Sequence, residues 1–241
     1  MKWQEFNDSL KKGLKEMKVE SNDSKNKKLY QYTQFLIKEN KKYNLTTVTN
    51  IEEIIQKHLL DSLSIFKIKH LQFDNFIDVG SGAGLPGLIL KIYRPKLKSV
   101  LIDSTLKKVR FMIKTADKLS LNDNLEILHE RAEKLAHQNG YREKYDLATA
   151  RAVAPLKILI EYTIPFVKKN GLVILYKGPD WKNEKKESLN ALKKLRTEVN
   201  FVSDVNIPGL QGERYLVVLK KNESTPENFP RRPGIPKKRP L

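Results

Sequence analysis

The chain has 241 residues, enough for one large α/β domain with a modest extension, and sets 46 Lys and Arg against 28 Asp and Glu for a formal charge of +18. Such an imbalance draws polyanions to the surface and makes nucleic acid the first partner to consider, although a lysine-rich composition accounts for the charge with no partner at all. There is no cysteine, which excludes disulfides, thiolate metal sites and cysteine nucleophiles together, and no continuous apolar stretch of the kind a signal peptide or membrane span needs; a cytoplasmic protein is the expectation.

Between Trp3 and about Lys67, three stretches place apolar residues at helical spacing, among them Leu29, Tyr32, Phe35 and Leu36, and further on Ile51, Ile54, Ile55, Leu59 and Leu63. They predict an N-terminal helical subdomain over residues 1–70. Within it "HLLDSL" sets His58 and Asp61 three apart on one helical face, too few ligands for a metal, so none is assigned and a structural pair is the simpler reading.

From Asn75 the texture changes. The runs "NFIDV", "SVLID", "LEILH", "YDLATA", "GLVILY", "VNFVSDVNI" and "ERYLVVLK" alternate with helical stretches, except that the last two are separated only by "PGLQG". Alternation implies parallel strands with crossover helices, and the short final connection implies an antiparallel hairpin at the edge. The prediction for residues 71–221 is an α/β domain with a seven-stranded, mostly parallel, doubly wound sheet. Residues 222–241 carry five prolines and five Lys or Arg with little apolar surface, and predict a mobile basic tail.

The first strand runs into "DVGSGAGLPG", four glycines in eight residues. Gly82, Gly84 and Gly87 spell the G-x-G-x-x-G of dinucleotide enzymes, but the turn already begins at Gly80, two residues too early for that register. Asp78, at the strand end and expected to face the loop, would repel a pyrophosphate and attract a sulfonium or amino group. Asp103, at the end of the second strand, stands where an acid grips both ribose hydroxyls of an adenosine. Together these favour S-adenosylmethionine over a nicotinamide cofactor, though Asp103 by itself suits either.

Three further stretches bear on the site. In "HERAEKLA", Ala132 and Glu133 fall where the loop after the third strand passes an adenine, while a helix start with Glu133 in its first turn explains the same carboxylate. Arg151 ends the fourth strand at the carboxyl edge of the sheet, where it could hold a methionine carboxylate or polarise an acceptor carbonyl. "STLKKVRFMIK" begins with Ser104 as a plausible helix cap and carries Lys107 and Arg110, placed to meet phosphate or to form a solvated face.

Taken in order, "NKKYNLTTV", "HLLDSL", "FIDVGSGAGLPG", "LIDSTLKKVRFM", "RAE", "ARAVAPL", "YKG" and "GERYLVV" closely resemble the bacterial 16S ribosomal RNA (guanine-N7) methyltransferase G family, also called the glucose-inhibited division protein B family. The resemblance spans nearly the whole chain, tail included. It implies a class I S-adenosylmethionine-dependent methyltransferase fold and methylation of N7 of one guanine in 16S ribosomal RNA, on naked RNA or on a small-subunit assembly particle. It also implies cofactor contacts at Gly80, Leu85, Ala132, Glu133 and Arg151, with Asp103 at the ribose position. Gly82 of the same loop joins that set, and Lys107, Arg110, Arg231 and Arg232 are the candidate RNA contacts. A monomer is expected. Two other functions stay open on the residues: an NAD(P)-dependent reductase, and an RNA-binding protein that uses the scaffold without catalysis.

Overall fold

A computed structural model describes residues 1–241. The N-terminal helices are α1 (Trp3–Glu16) and α2 (Asp23–Tyr43). Asn22 caps α2 by accepting from Lys25 N–H at 2.9 Å, and Asn44 ends it in the left-handed conformation, which asparagine tolerates better than most residues. The third helical stretch is not one plain helix: α3 (Ile51–Ile54) widens into a π-helical turn (Ile55–Leu60), continues as α4 (Asp61–Leu63) and tightens into a 3₁₀ turn (Ser64–Lys67). Periodicity alone does not distinguish these windings.

The rest alternates as the patterning predicts: β1 (Asn75–Val79), α5 (Gly87–Tyr93), β2 (Lys98–Asp103), α6 (Leu106–Leu119), β3 (Leu125–His129), α7 (Ala132–Leu135), β4 (Tyr145–Arg151), α8 (Leu156–Thr163) and β5 (Val167–Lys177). Then come α9 (Trp181–Glu187), α10 (Leu189–Lys194), β6 (Thr197–Asp204), β7 (Tyr215–Lys221) and a last short helix, α11 (Ile235–Lys238). The sheet order is β3-β2-β1-β4-β5-β7-β6. Strands β1 to β5 are parallel, and β7 runs against both β5 and β6. The hairpin therefore puts β6 on the edge and β7 inside. Helix α6 begins one residue later than the cap at Ser104 implied, with Thr105 at the cap position and its N–H bonded to Asp103 Oδ1 at 2.8 Å.

Two apolar cores sandwich the sheet. One unites α1, α2, α5 and α6 with the inner residues of β1 and β2, so the N-terminal helices are the cover of one sheet face and not a separate subdomain. Tyr32 of α2 donates to Ala83 O of the glycine loop at 2.8 Å, and Phe35 stacks on Phe111 of α6 at 5.6 Å between centroids. The other core lies under α7, α8 and α10.

The tail also departs from expectation. It is not a mobile end but folds back onto the second core, which Phe229 enters at 7% exposure. Composition undercounted its partners because they are polar: the Arg142 guanidinium donates to the carbonyls of Thr225, Pro226 and Phe229, and Arg231 pairs with Glu161, a wholly buried carboxylate of α8, at 2.7 Å. That pairing ties Arg231 to the fold, whereas Arg232 is exposed.

Candidate cofactor and acceptor site

The sheet order reverses between β1 and β4, and in an open α/β sheet the crevice at such a switch point, beyond the carboxyl ends of the strands, is where ligands bind. The loop after β1 is held at this crevice by backbone bonds, Gly80 and Ser81 N–H both donating to Ile102 O of β2 at 2.9 and 3.0 Å. Gly80 has φ +74, and a Cβ on it would lie 2.7 Å from Val153 Cγ2. Glycine is required there for conformation and for space alike.

Asp78 corrects the sequence reading. It is wholly buried and does not face a ligand: it accepts from Ser81 Oγ, from Gly87 N–H at 2.9 Å and from Thr149 Oγ1 at 2.9 Å. Its carboxylate organises the loop from behind, and burial pushes its pKa up to about 6. Gly87, part of the displaced G-x-G-x-x-G, starts α5 against Asp78 and leaves no room for a side chain, a Cβ there lying 2.8 Å from Asp78 Oδ2. Its role is packing.

On one side of the β4–α8 connection is a cavity of about 390 Å³. Gly80, Asp103, Ala132 and Glu133, four of the predicted cofactor residues, line it together. Asp103 is 5% exposed and accepts from Gly82 N–H at 2.9 Å, so Gly82 acts through Asp103 and not as a wall. Leu85 belongs to the first core instead. The sequence missed the opposite wall, made by Val153, Ala154, Pro155, Ile158 and Tyr162, and it missed Lys237 from α11. Apolar residues after β4 carry no signal that separates a cavity wall from core, and Lys237 was hidden in a segment read as mobile.

Arg151 is not with the others. It lies where the same connection begins, in a second cavity of about 420 Å³ with Lys57, His58, Asp61, Lys177, Glu184 and Arg214. Its Nη1 pairs with Asp61 Oδ2 at 2.7 Å and donates to Lys57 O at 2.8 Å, while Nη2 and Nε make no hydrogen bond within the chain. His58 Nε2 lies 2.8 Å from Thr46 Oγ1, in the "NLTTV" loop that Asn40 clamps to α2. Burial, with the Arg151 charge adding to it, lowers the His58 pKa to about 4, so the ring is neutral near pH 7. Glu184 of α9 joins Lys177 at 2.5 Å to the Leu156 N–H that opens α8. Lys107 and Arg110 are exposed on α6, and no group of three or more His, Asp or Glu side chains is arranged to hold a metal.

A single reversed strand between the fifth and sixth, over a glycine turn and a strand-end acid, defines a class I S-adenosylmethionine-dependent methyltransferase fold. Two solved structures share it: a predicted O-methyltransferase from Agrobacterium tumefaciens (TM-score 0.52, 19% identity, covering 68% of this chain and 80% of that one) and the StiE O-MT segment 942–1257 (TM-score 0.51, 14% identity, 69% and 75%). The chain belongs to the rRNA small subunit methyltransferase G family, whose profile matches residues 25–216 and so stops short of the tail. Curated relatives named ribosomal RNA small subunit methyltransferase G include those of Carboxydothermus hydrogenoformans, 46% identical over 210 residues (87% of this chain, 89% of that one), and Alkaliphilus metalliredigens, 41% identical over 233 residues (96% and 97%). This family assignment sets the nicotinamide reading aside.

Proposed function

We propose that the protein transfers the methyl group of S-adenosylmethionine to N7 of a guanine in 16S ribosomal RNA, acting in the cytoplasm as a monomer on the RNA or on a small-subunit assembly particle. The observation that carries the cofactor half is the convergence of Gly80, Asp103, Ala132 and Glu133 on one cavity at the switch point of the sheet. Its chemistry fits the group: a carboxylate for a ribose, a turn with no side chain for close approach, and apolar walls at Ile158 and Val153 for an adenine. When bound, the sulfonium supplies an activated methyl group.

The chain's own task is then placement. Guanine N7 carries a lone pair and no proton, so no general base is needed and alignment does most of the work. The second cavity, lined by Arg151 and Ala152 just before Val153 in the chain, is assigned to the acceptor nucleotide. The free Nη2 and Nε of Arg151, with Lys57, Lys177 and Arg214, offer donors to guanine O6 and to phosphate. Positive charge passes to the base as the bond forms; Asp61 and Glu184 stand among the cations of that cavity, and His58, with its lowered pKa, adds no further positive charge to it.

Calorimetric titration with S-adenosylhomocysteine, beside NADH on the same preparation, tests the cofactor half. Binding of the first alone is expected; binding of NADH alone would refute it.

A further inference from the structure

The tail does more than cover a core. Three anchors fix its course across the second face: Phe229 in the apolar cluster, Pro230 O bonded to His137 Nε2 at 2.7 Å, and Arg231, whose N–H and guanidinium both reach Glu161. The chain then turns at Gly234, in the left-handed conformation with φ +83, and delivers its N–H to Glu133 Oε1 at 2.9 Å. One turn later Lys237 lines the adenosine cavity.

Two consequences follow for that cavity. Glu133 is 4% exposed, and the Gly234 N–H is the one hydrogen-bond donor it has within the chain. A carboxylate so buried is held in place by its donor, and loses that hold if the donor is taken away. Second, Asp103, Glu130 and Glu133 give the cavity three carboxylates against Arg131 and Lys237. The Lys237 ammonium, three donors on a flexible stem, brings that set to within one charge of neutral and is the one cation that reaches the cavity from the tail.

Resting on the cofactor assignment above, we propose that the C-terminal segment completes the cofactor site: Gly234 positions Glu133, and Lys237 is a cofactor-binding residue that donates to the acceptor nitrogens or ribose oxygens of adenosine. Lys238, which does not line the cavity, has no such part.

The test uses the full chain, a chain ending at Pro233, and the variants Lys237→Ala, Lys237→Arg and Lys238→Ala, each titrated with S-adenosylhomocysteine by calorimetry. The chain ending at Pro233 keeps Phe229 and Arg231 and so keeps the anchors. We expect its affinity to fall at least about tenfold and that of Lys237→Ala about three- to tenfold, with Lys237→Arg restoring most of the loss and Lys238→Ala unchanged. If the shortened chain does not fold, the Lys237→Ala and Lys237→Arg pair decides. Trypsin supplies a second readout: S-adenosylhomocysteine should slow cleavage after Lys237 and Lys238. Equal affinities for the full and altered chains, or cleavage indifferent to the ligand, would overturn the proposal. Failure of the full chain to bind S-adenosylhomocysteine would overturn the cofactor assignment itself.

Discussion

Arg151 Nη1 lies 2.7 Å from Asp61 Oδ2, and the two side chains, 12% and 9% exposed, form an ion pair that joins the end of β4 to the helix before the sheet begins. Removing one partner of such a pair leaves a buried charge unmatched and costs about 3 to 5 kcal/mol. Asp61→Ala should lower the unfolding free energy by that amount in denaturant titrations. Arg151→Lys keeps the charge but not the forked donors; it should slow methyl transfer more than tenfold while leaving S-adenosylhomocysteine affinity within about twofold. Equal losses in both would place Arg151 in the cofactor site.

Asp103→Ala addresses the neighbouring cavity. A charged hydrogen bond to a ribose hydroxyl is worth about 1.5 to 3 kcal/mol, or roughly ten- to a hundredfold in affinity. The variant also leaves the Gly82 and Thr105 N–H groups without an acceptor, so its folding is to be checked by thermal unfolding beside the calorimetry. A folded variant with unchanged affinity would remove Asp103 from the site.

The pH dependence of stability carries two opposed contributions. His58 has its pKa lowered from 6.5 to about 4, so its contribution is full above pH 6.5 and is lost as pH falls through 4. Asp78 has its pKa raised from 3.8 to about 6, so its contribution is full below 3.8 and is lost as pH rises through 6. Between pH 4 and 6 they partly cancel. His58→Gln removes the first alone: relative to the variant, the natural chain should lose about 2 to 3 kcal/mol between pH 7 and 4. A gap independent of pH would mean that His58 titrates normally in the fold.

Lys107 and Arg110 stand exposed on α6, and the RNA role assigned to them has a signature beyond weaker binding. Each phosphate contact removed should reduce the slope of log affinity against log salt by about 1. Lys107→Ala with Arg110→Ala, measured by filter binding to ribosomal RNA at several salt concentrations, should show a shallower slope and an unchanged Kd for S-adenosylhomocysteine. An unchanged slope would make this face solvated surface.

All seven strands were legible in the sequence: the inner ones because a strand buried on both faces must be a short apolar run, and the more exposed edge strands β3 and β6 because turn residues bound their β-rich runs. Asp103 could be proposed from its place at a strand end, whereas Ala132 and Glu133 came from the family resemblance, since a helix start explains Glu133 equally well; the structure brings all three to one cavity. What escaped depends on contacts far apart in the chain. Asp78 looked like a ligand group because nothing local shows that Thr149, 71 residues on, turns toward it. The tail looked mobile because its order comes from Glu161, Arg142 and His137 on other elements, and hydropathy does not count an arginine as a source of order. The cavity behind Arg151 needed the π-helical turn that carries His58, which a 3.6-residue period does not reveal.

The central claim is the reaction. Small-subunit RNA lacking the modification, free and in assembly particles, is incubated with the protein and radiolabelled S-adenosylmethionine, and the methylated base is located by reductive cleavage at N7-methylguanine. One labelled guanine, cleaved at N7 and absent in the Arg151→Lys reaction over the same time, is the predicted result. Label on another atom, or no transfer to either substrate by a protein that binds S-adenosylhomocysteine, would contradict the account.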